Sequence, residues 1–308
     1  MSEPRRRTVR AEAAPAPALR GAERAMPNAP RTQPAYVLHA YDWSESSLIL
    51  DLYTREEGRV VAVAKGAKRP YSQLRAVLLP FQCVSVQLSR SKAADAEDEV
   101  RTLRSAEWAT GSSVLPSSAL LGAYYLNELL MKFLPRGAVQ AELFGHYQSA
   151  LQALSSPVVR TADQAAPSGQ GLPPAVPEAA QDLQSTLRAF ELLLLQDLGL
   201  LPDLAQDALG GAVLQAGARY TWKPELGLVQ AGPQDEALLG HEWIQLQAAL
   251  IGGPVAALRQ ACHGPRAALR VLLRGALAHH LGGAPLRTRE LMQSLRRLGA
   301  WTPTGAPP

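Results

Sequence analysis

The sequence predicts an α+β chain in which a small N-terminal β-barrel precedes a mostly α-helical C-terminal domain. Three observations carry this. Apolar residues recur with period two between Tyr36 and Trp108, the period turns helical after Pro116, and stretches of Ala, Pro, Gly and Ser interrupt both patterns. At 308 residues the chain is long enough for two ordinary domains with a core in each.

Residues 1–34 hold Arg, Ala, Pro and Glu with almost no large apolar side chain, so burial cannot offset the entropy of ordering them and a disordered basic tail is expected. That tail is either plainly solvated or an auxiliary arm for nucleic acid. Tyr36–Tyr41 reads as a first strand, Ser44–Ser47 as polar loop, and Leu48–Thr54 as a second strand. Arg55–Gly58 is a tight turn into the β-branched run Arg59–Gly66, so strands two and three form a hairpin with Gly58 free to take a positive φ. Phe81–Leu88 and Val100–Trp108 supply a fourth and fifth strand, and Ser72–Leu79 adds a helical turn between the third and fourth. Five such short strands are expected to close on themselves, because closure removes exposed edges. That is the arrangement of an OB-fold, here over residues 35–112.

A helical domain is expected over 113–300. Residues 117–134 are apolar nearly all round, which marks a central buried helix ended by Pro135 and Gly137. Leu143 to Leu154 give a second helix with one apolar face. A flexible loop over 155–181 follows, then a helix capped by Asp182 and running to Gly199. Residues 203–232 read as an irregular hairpin insert, residues 235–251, 266–281 and 288–298 as further helices, and 301–308 as a disordered tail.

The net charge of +4 conceals its distribution: +4 over residues 1–35, 0 over 36–110, −7 over 111–250 and +7 over 251–308. Such asymmetry points to polyanion contact or to an internal electrostatic partnership. The two cysteines, Cys83 and Cys262, rule out a disulfide framework and a four-thiolate zinc site, and favour a reducing compartment. The Arg-rich start lacks the apolar stretch of a secretory signal, and no apolar run approaches the roughly 18–20 residues that cross a bilayer, so a soluble, cytoplasmic protein is expected. Phosphate-loop, dinucleotide, nucleophile-elbow and HExxH motifs are missing. No enzyme, no metal and no cofactor are expected.

Three basic constellations remain. Arg55, Arg59, Lys65, Lys68, Arg69 and Arg75 lie within 21 residues beside only Glu56 and Glu57, and Gly66 lets the backbone of the Lys65–Pro70 loop approach a phosphate. Barrels of this kind bind single strands through a positive groove and aromatic platforms, and Tyr41, Trp43, Tyr53 and Tyr71 are close by in sequence. A solvated loop with the aromatics in the core fits equally well. In the last segment Arg259, Arg266, Arg270, Arg274, Arg287, Arg289, Arg296 and Arg297 face the single acid Glu290. Arg266, Arg270 and Arg274 stack along one helical face, where their repulsion calls for a polyanion or for the acidic middle of the chain. Lastly, Arg188 stands alone on an apolar helix. It suits either a peptide ending in a hydrophobic residue and a carboxylate or simple balance with Glu191 or an acid on another helix.

The residues also resemble a family. Val37-Leu38-His39, Ser44–Leu48, Leu50–Thr54, Gly58-Arg59-Val60 and Val63–Arg69 are similar to RecO, the bacterial recombination-mediator family, as are Leu78–Phe81, Thr102–Glu107, Tyr125–Leu130, Leu187–Leu192 and Leu281–Leu291. The match runs in order over about residues 36–298, outside the tail and the 155–181 loop. The resemblance implies DNA repair and homologous recombination: binding of single- and double-stranded DNA, annealing of complementary strands, and loading of RecA with RecR on DNA coated by single-stranded-DNA-binding protein (SSB). On it, Arg55, Arg59, Lys65, Lys68, Arg69, Tyr71 and Arg75 are the expected DNA contacts. Leu187, Arg188 and Phe190 are the expected seat of the SSB C-terminal tail, and Arg266, Arg270, Arg274, Arg287 and Arg289 a secondary basic surface. Some members carry a four-cysteine zinc element, but Asp207 and Gly210 stand where thiolates would be needed. A helical protein–protein adaptor whose barrel binds no DNA is the alternative, and a nucleoid-associated location goes with the DNA reading.

Overall fold

The computed structural model describes residues 32–89, 100–109, 114–155 and 178–299, all within one compact unit. The expected tail up to residue 31, the interior of the 155–181 loop and the tail at 301–308 lie outside the described residues.

Five strands form the closed barrel: β1 (Thr32–Asp42), β2 (Leu48–Thr54), β3 (Gly58–Ala64), β4 (Cys83–Leu88) and β5 (Arg101–Trp108), with the short helix α1 (Gln73–Val77) between β3 and β4. Their order is β1-β2-β3-β5-β4, with the ring closed by β4 pairing back on β1. Only β3 and β5 run parallel, over Ala62↔Arg101 and Val63↔Thr102. This is an OB-like barrel. It is narrow, so its interior takes Ala35, Ala62, Ala64, Ala67 and Ala106 beside Val37, Leu50, Leu52, Val84 and Val86. Strand β1 begins at Thr32, earlier than the expected end of the tail at residue 34, because Thr32, Gln33 and Pro34 pair with Gln87, Val86 and Ser85 and complete the closure. Gly58 takes φ 68 in the β2–β3 turn, and a Cβ there would come within 2.0 Å of the Ala138 carbonyl oxygen, so the turn requires glycine.

A register shift between Val37 and His39 makes Leu38 an extra residue on the outer face of β1. With it on that face, by ordinary alternation, stand Tyr36, Tyr53 and Cys83, and together with Phe81 these residues join the core of the helical half rather than that of the barrel. There α2 (Ser117–Phe133) and α3 (Ala141–Ser155) cover them. Tyr36 meets Phe144 and Tyr147 with ring centroids 5.4 and 5.0 Å apart, the Tyr53 hydroxyl donates to the Gln140 carbonyl at 3.0 Å, and the Asn127 amide donates to the Leu38 carbonyl at 2.9 Å. Burial raises the Tyr36, Tyr53 and Tyr147 hydroxyls well above the usual phenol range. They stay neutral donors in this seam.

Helix α4 (Glu178–Asp197) starts four residues before Asp182, which accepts from the Thr186 hydroxyl within the helix and does not cap it. The insert carries the hairpin β6 (Arg219–Lys223) and β7 (Gly227–Gln230), and β8 (Leu238–Leu239) pairs with β6. That pairing delays α5 (Gly240–Gly252), expected from residue 235, and the short α6 (Val255–Ala261) was not expected at all. Helices α7 (Arg266–His280) and α8 (Arg287–Gly299) end the described fold. Among the described residues no helix is long and apolar enough to cross a membrane.

Candidate nucleic-acid interface and peptide pocket

The basic run 55–75 is divided by the β2–β3 hairpin. Leu48 pairs with Ala64 at one end and Thr54 with Gly58 at the other, so Arg55 lies about 20 Å along the strands from the Lys65 turn. Arg59 is not a surface cation. Its Nε donates to Asp51 Oδ1 at 2.9 Å, and its Nη1 donates to the Met131 and Leu134 carbonyls at 2.6 and 2.7 Å, at the negative end of α2. With Asp51 6% exposed, this is a clasp between barrel and helix, which corrects the expectation that Arg59 contacts DNA. Tyr53 is likewise core.

Four residues of the expected set stay together at one barrel end. Lys65, Arg69, Tyr71 and Arg75 are exposed there, Tyr71 fully, and the three cations make no ion pair among the described residues. Gly66 takes φ 72, and the Arg69 side chain folds over it. Lys68 is engaged: it donates to the Ser44 carbonyl at 3.0 Å and pairs with Asp42 at 3.1 Å. Beside it Leu48, Ala67, Lys68, Arg75 and Leu78 line a hollow of about 260 Å³.

The second site joins two groups that the sequence keeps apart. Helices α4, α7 and α8 converge with α2 on a pocket of about 270 Å³ whose apolar wall is Leu187, Val271 and Met292 and whose polar wall includes Arg188, Arg270, Arg274 and Arg289. Arg188 is 5% exposed and pairs through Nη2 with the fully buried Glu191 at 2.7 Å, which is the balance reading. Its Nε and Nη1 nevertheless have no partner among the described residues. Glu191 also accepts from the Tyr125 hydroxyl, which in turn accepts from Arg289 at 2.8 Å, and the Arg289 guanidinium lies 5.3 Å from the Tyr125 ring centre. Burial and then the Glu191 charge raise the Tyr125 hydroxyl, so it remains a donor.

Two expectations are corrected here, and a question the sequence leaves open is answered in part. Phe190 is 1% exposed and packs edge-on to Tyr147, two helical positions and so about 200° round α4 from Arg188, which keeps it out of the pocket. Arg270, Arg274 and Arg289 belong to the pocket rather than to a separate surface, whereas Arg266 donates to the His263 carbonyl and Arg287 stands exposed at the start of α8. The acidic middle answers the basic end only in part, through Glu128 at the start of α8 and Glu191 near Arg289, and Arg270 and Arg274 stay unpaired among the described residues. Sequence reasoning passed over Tyr125, Val271, Met292 and Glu128. Tyr125 and Glu128 lie together in the run Tyr125–Leu130, the one signal that could have marked them.

Comparisons with known proteins agree with this architecture. The family models described as Recombination protein O N terminal and Recombination protein O C terminal match residues 28–111 and 175–290. The chain is 43% identical to the DNA repair protein RecO of Verminephrobacter eiseniae over 268 residues, covering 86% of this chain and 96% of that protein. It is 44% identical over 271 residues to the DNA repair protein RecO of Variovorax paradoxus, again covering 86% and 96%. With both halves matched and the relatives covered almost end to end, the chain belongs to the RecO family of DNA repair proteins.

Proposed function

We propose that the chain is a recombination mediator that binds single- and double-stranded DNA on the barrel, anneals complementary strands, and docks on the C-terminal tail of SSB, so that with RecR it helps load RecA. The single observation that carries this reading is the pocket. A buried guanidinium with two unbonded nitrogens beside an apolar wall fits a terminal carboxylate on a hydrophobic residue, and Arg270, Arg274 and Arg289 suit the acidic residues that precede it. On the barrel, Lys65, Arg69 and Arg75 neutralise phosphates, with Tyr71 as an exposed platform. Cations shared between two strands lower their mutual repulsion, so annealing needs no bond chemistry.

The pocket is tested without altering the protein. Fluorescence anisotropy with an SSB tail peptide is compared between the free acid and its C-terminal amide. The amide is expected to bind about ten-fold more weakly or worse, since it cannot form the charge-assisted hydrogen bonds of the carboxylate. Equal affinity for the two peptides would remove the carboxylate seat.

A further inference from the structure

Beyond the Leu38 bulge, the outer face of β1 carries His39 and Tyr41, opposite Asp51 and Ile49 of β2, and Trp43 follows in the loop directly after the end of the strand at Asp42. Nearer the start of the same strand, Tyr36 is buried under α3. The row thus runs from under the helical layer into solvent, where Tyr41 is 49% and Trp43 65% exposed. The His39 and Tyr41 rings meet edge-on at 4.3 Å.

The loop that carries Trp43 is held at both ends. The Trp43 N–H donates to the Ser47 carbonyl at 3.2 Å, and the Ser47 N–H to the Ser44 hydroxyl at 3.1 Å. The Lys68 N–H donates to the Ser46 carbonyl at 3.0 Å, while its ammonium bridges Ser44 and Asp42, the two neighbours of Trp43. Lys68 therefore ties the indole-bearing loop to the turn that presents Lys65 and Arg69. Its charge is already balanced by Asp42, so it has little counterion to release. Lys65 and Arg69 have no such partner among the described residues.

An unpaired base offers an aromatic face that a stacked duplex hides, so an exposed indole beside free cations favours single strands. We infer that Trp43, with Tyr41, is the stacking surface by which the barrel prefers unpaired DNA, and that Lys68 is a positioning residue that fixes Trp43 beside Lys65 and Arg69. This rests on the DNA reading proposed above.

The test is anisotropy of a labelled single strand, and of the duplex made from it, against the full chain over a series of salt concentrations. Trp43→Ala is expected to weaken single-strand binding about five-fold or more, with duplex affinity and the salt dependence unchanged. The pair Lys68→Met/Asp42→Asn, which removes the strap at constant net charge, is expected to reproduce that loss, again with the salt slope unchanged. Adding Trp43→Ala to it costs nothing more. Lys65→Ala/Arg69→Ala instead lowers the slope, by about 0.7 for each phosphate no longer neutralised. Equal losses on both DNA forms with Trp43→Ala, no loss at all, or a reduced slope in the Lys68/Asp42 variant overturns the inference. Unchanged binding and slope in Lys65→Ala/Arg69→Ala overturns the underlying DNA reading instead.

Discussion

The Glu128 carboxylate on α2 accepts the backbone N–H of Thr288 at 2.9 Å across 160 residues of sequence, and its other oxygen accepts the Arg287 N–H at 2.7 Å. The Thr288 hydroxyl donates to it as well. A buried acid from one helix thus caps the positive end of another, in place of a local side chain. Tyr125 sits one turn away on the same face of α2 and receives Arg289, so one surface both caps α8 and seats its second arginine in the pocket.

Glu128→Ala is therefore expected to cost about 2–3 kcal/mol of stability, since several charge-assisted bonds and a helix cap disappear together. Urea unfolding reads this directly. Binding of the SSB tail peptide should weaken in parallel, because Arg289 and Met292 lose their support. An unchanged midpoint would mean that α8 docks without the cap.

The pair Arg188 and Glu191 follows a different logic. Arg188→Met takes the nearest cation from a carboxylate that has no exposure, leaving it the Tyr125 hydroxyl and Arg289 at 3.9 Å, and a loss of about 3 kcal/mol is expected. Arg188→Met/Glu191→Gln should recover most of that loss, because no buried charge is left unpaired. Neither variant should regain the tail peptide. If the double variant unfolds as readily as the single, the stability does not rest on charge compensation.

Arg59→Met separates fold from DNA contact. With Asp51 left unpaired and two helix carbonyls unbonded, a loss of about 2–4 kcal/mol is expected by denaturant unfolding. The salt slope of DNA binding should stay that of the unaltered chain. A reduced slope would return Arg59 to the phosphate-contacting set.

Both thiols lie in the core. Burial pushes Cys262 up to about 12 and raises Cys83 too, so the folded chain holds them as neutral thiols. Alkylation by iodoacetamide at pH 8 is expected to be slow in the native protein and fast in urea. Because the folded values lie above the ordinary thiol value of 9.0, their contribution to stability is full below that pH and falls as pH rises above it. Rapid native labelling of Cys262 would contradict its placement.

Sequence and structure agree where one residue's neighbours decide its place. The alternation in Leu48–Thr54 and Gly58–Ala64 yields the hairpin in full register. The bulge at Leu38 was not legible, because an extra residue changes face without changing composition. Nor was the early start of β1, which depends on a partner strand some 50 residues away. At the sites, closeness in sequence grouped Arg55 and Arg59 with Lys65 although a hairpin divides them. Distance in sequence parted Arg188 from Arg270, Arg274 and Arg289 although three helices bring them together. Phe190, by contrast, is turned away from Arg188 by helical periodicity alone.

The most direct measurement is annealing of complementary oligonucleotides, bare and SSB-coated, by three proteins: the unaltered chain, Lys65→Ala/Arg69→Ala, and Arg270→Ala/Arg274→Ala, whose exposed side chains carry none of the core. The barrel variant is expected to fail on both substrates. The pocket variant should anneal bare strands normally and lose activity on coated ones. Coated strands annealed by the pocket variant at the rate of the unaltered chain would contradict the division of labour between barrel and pocket.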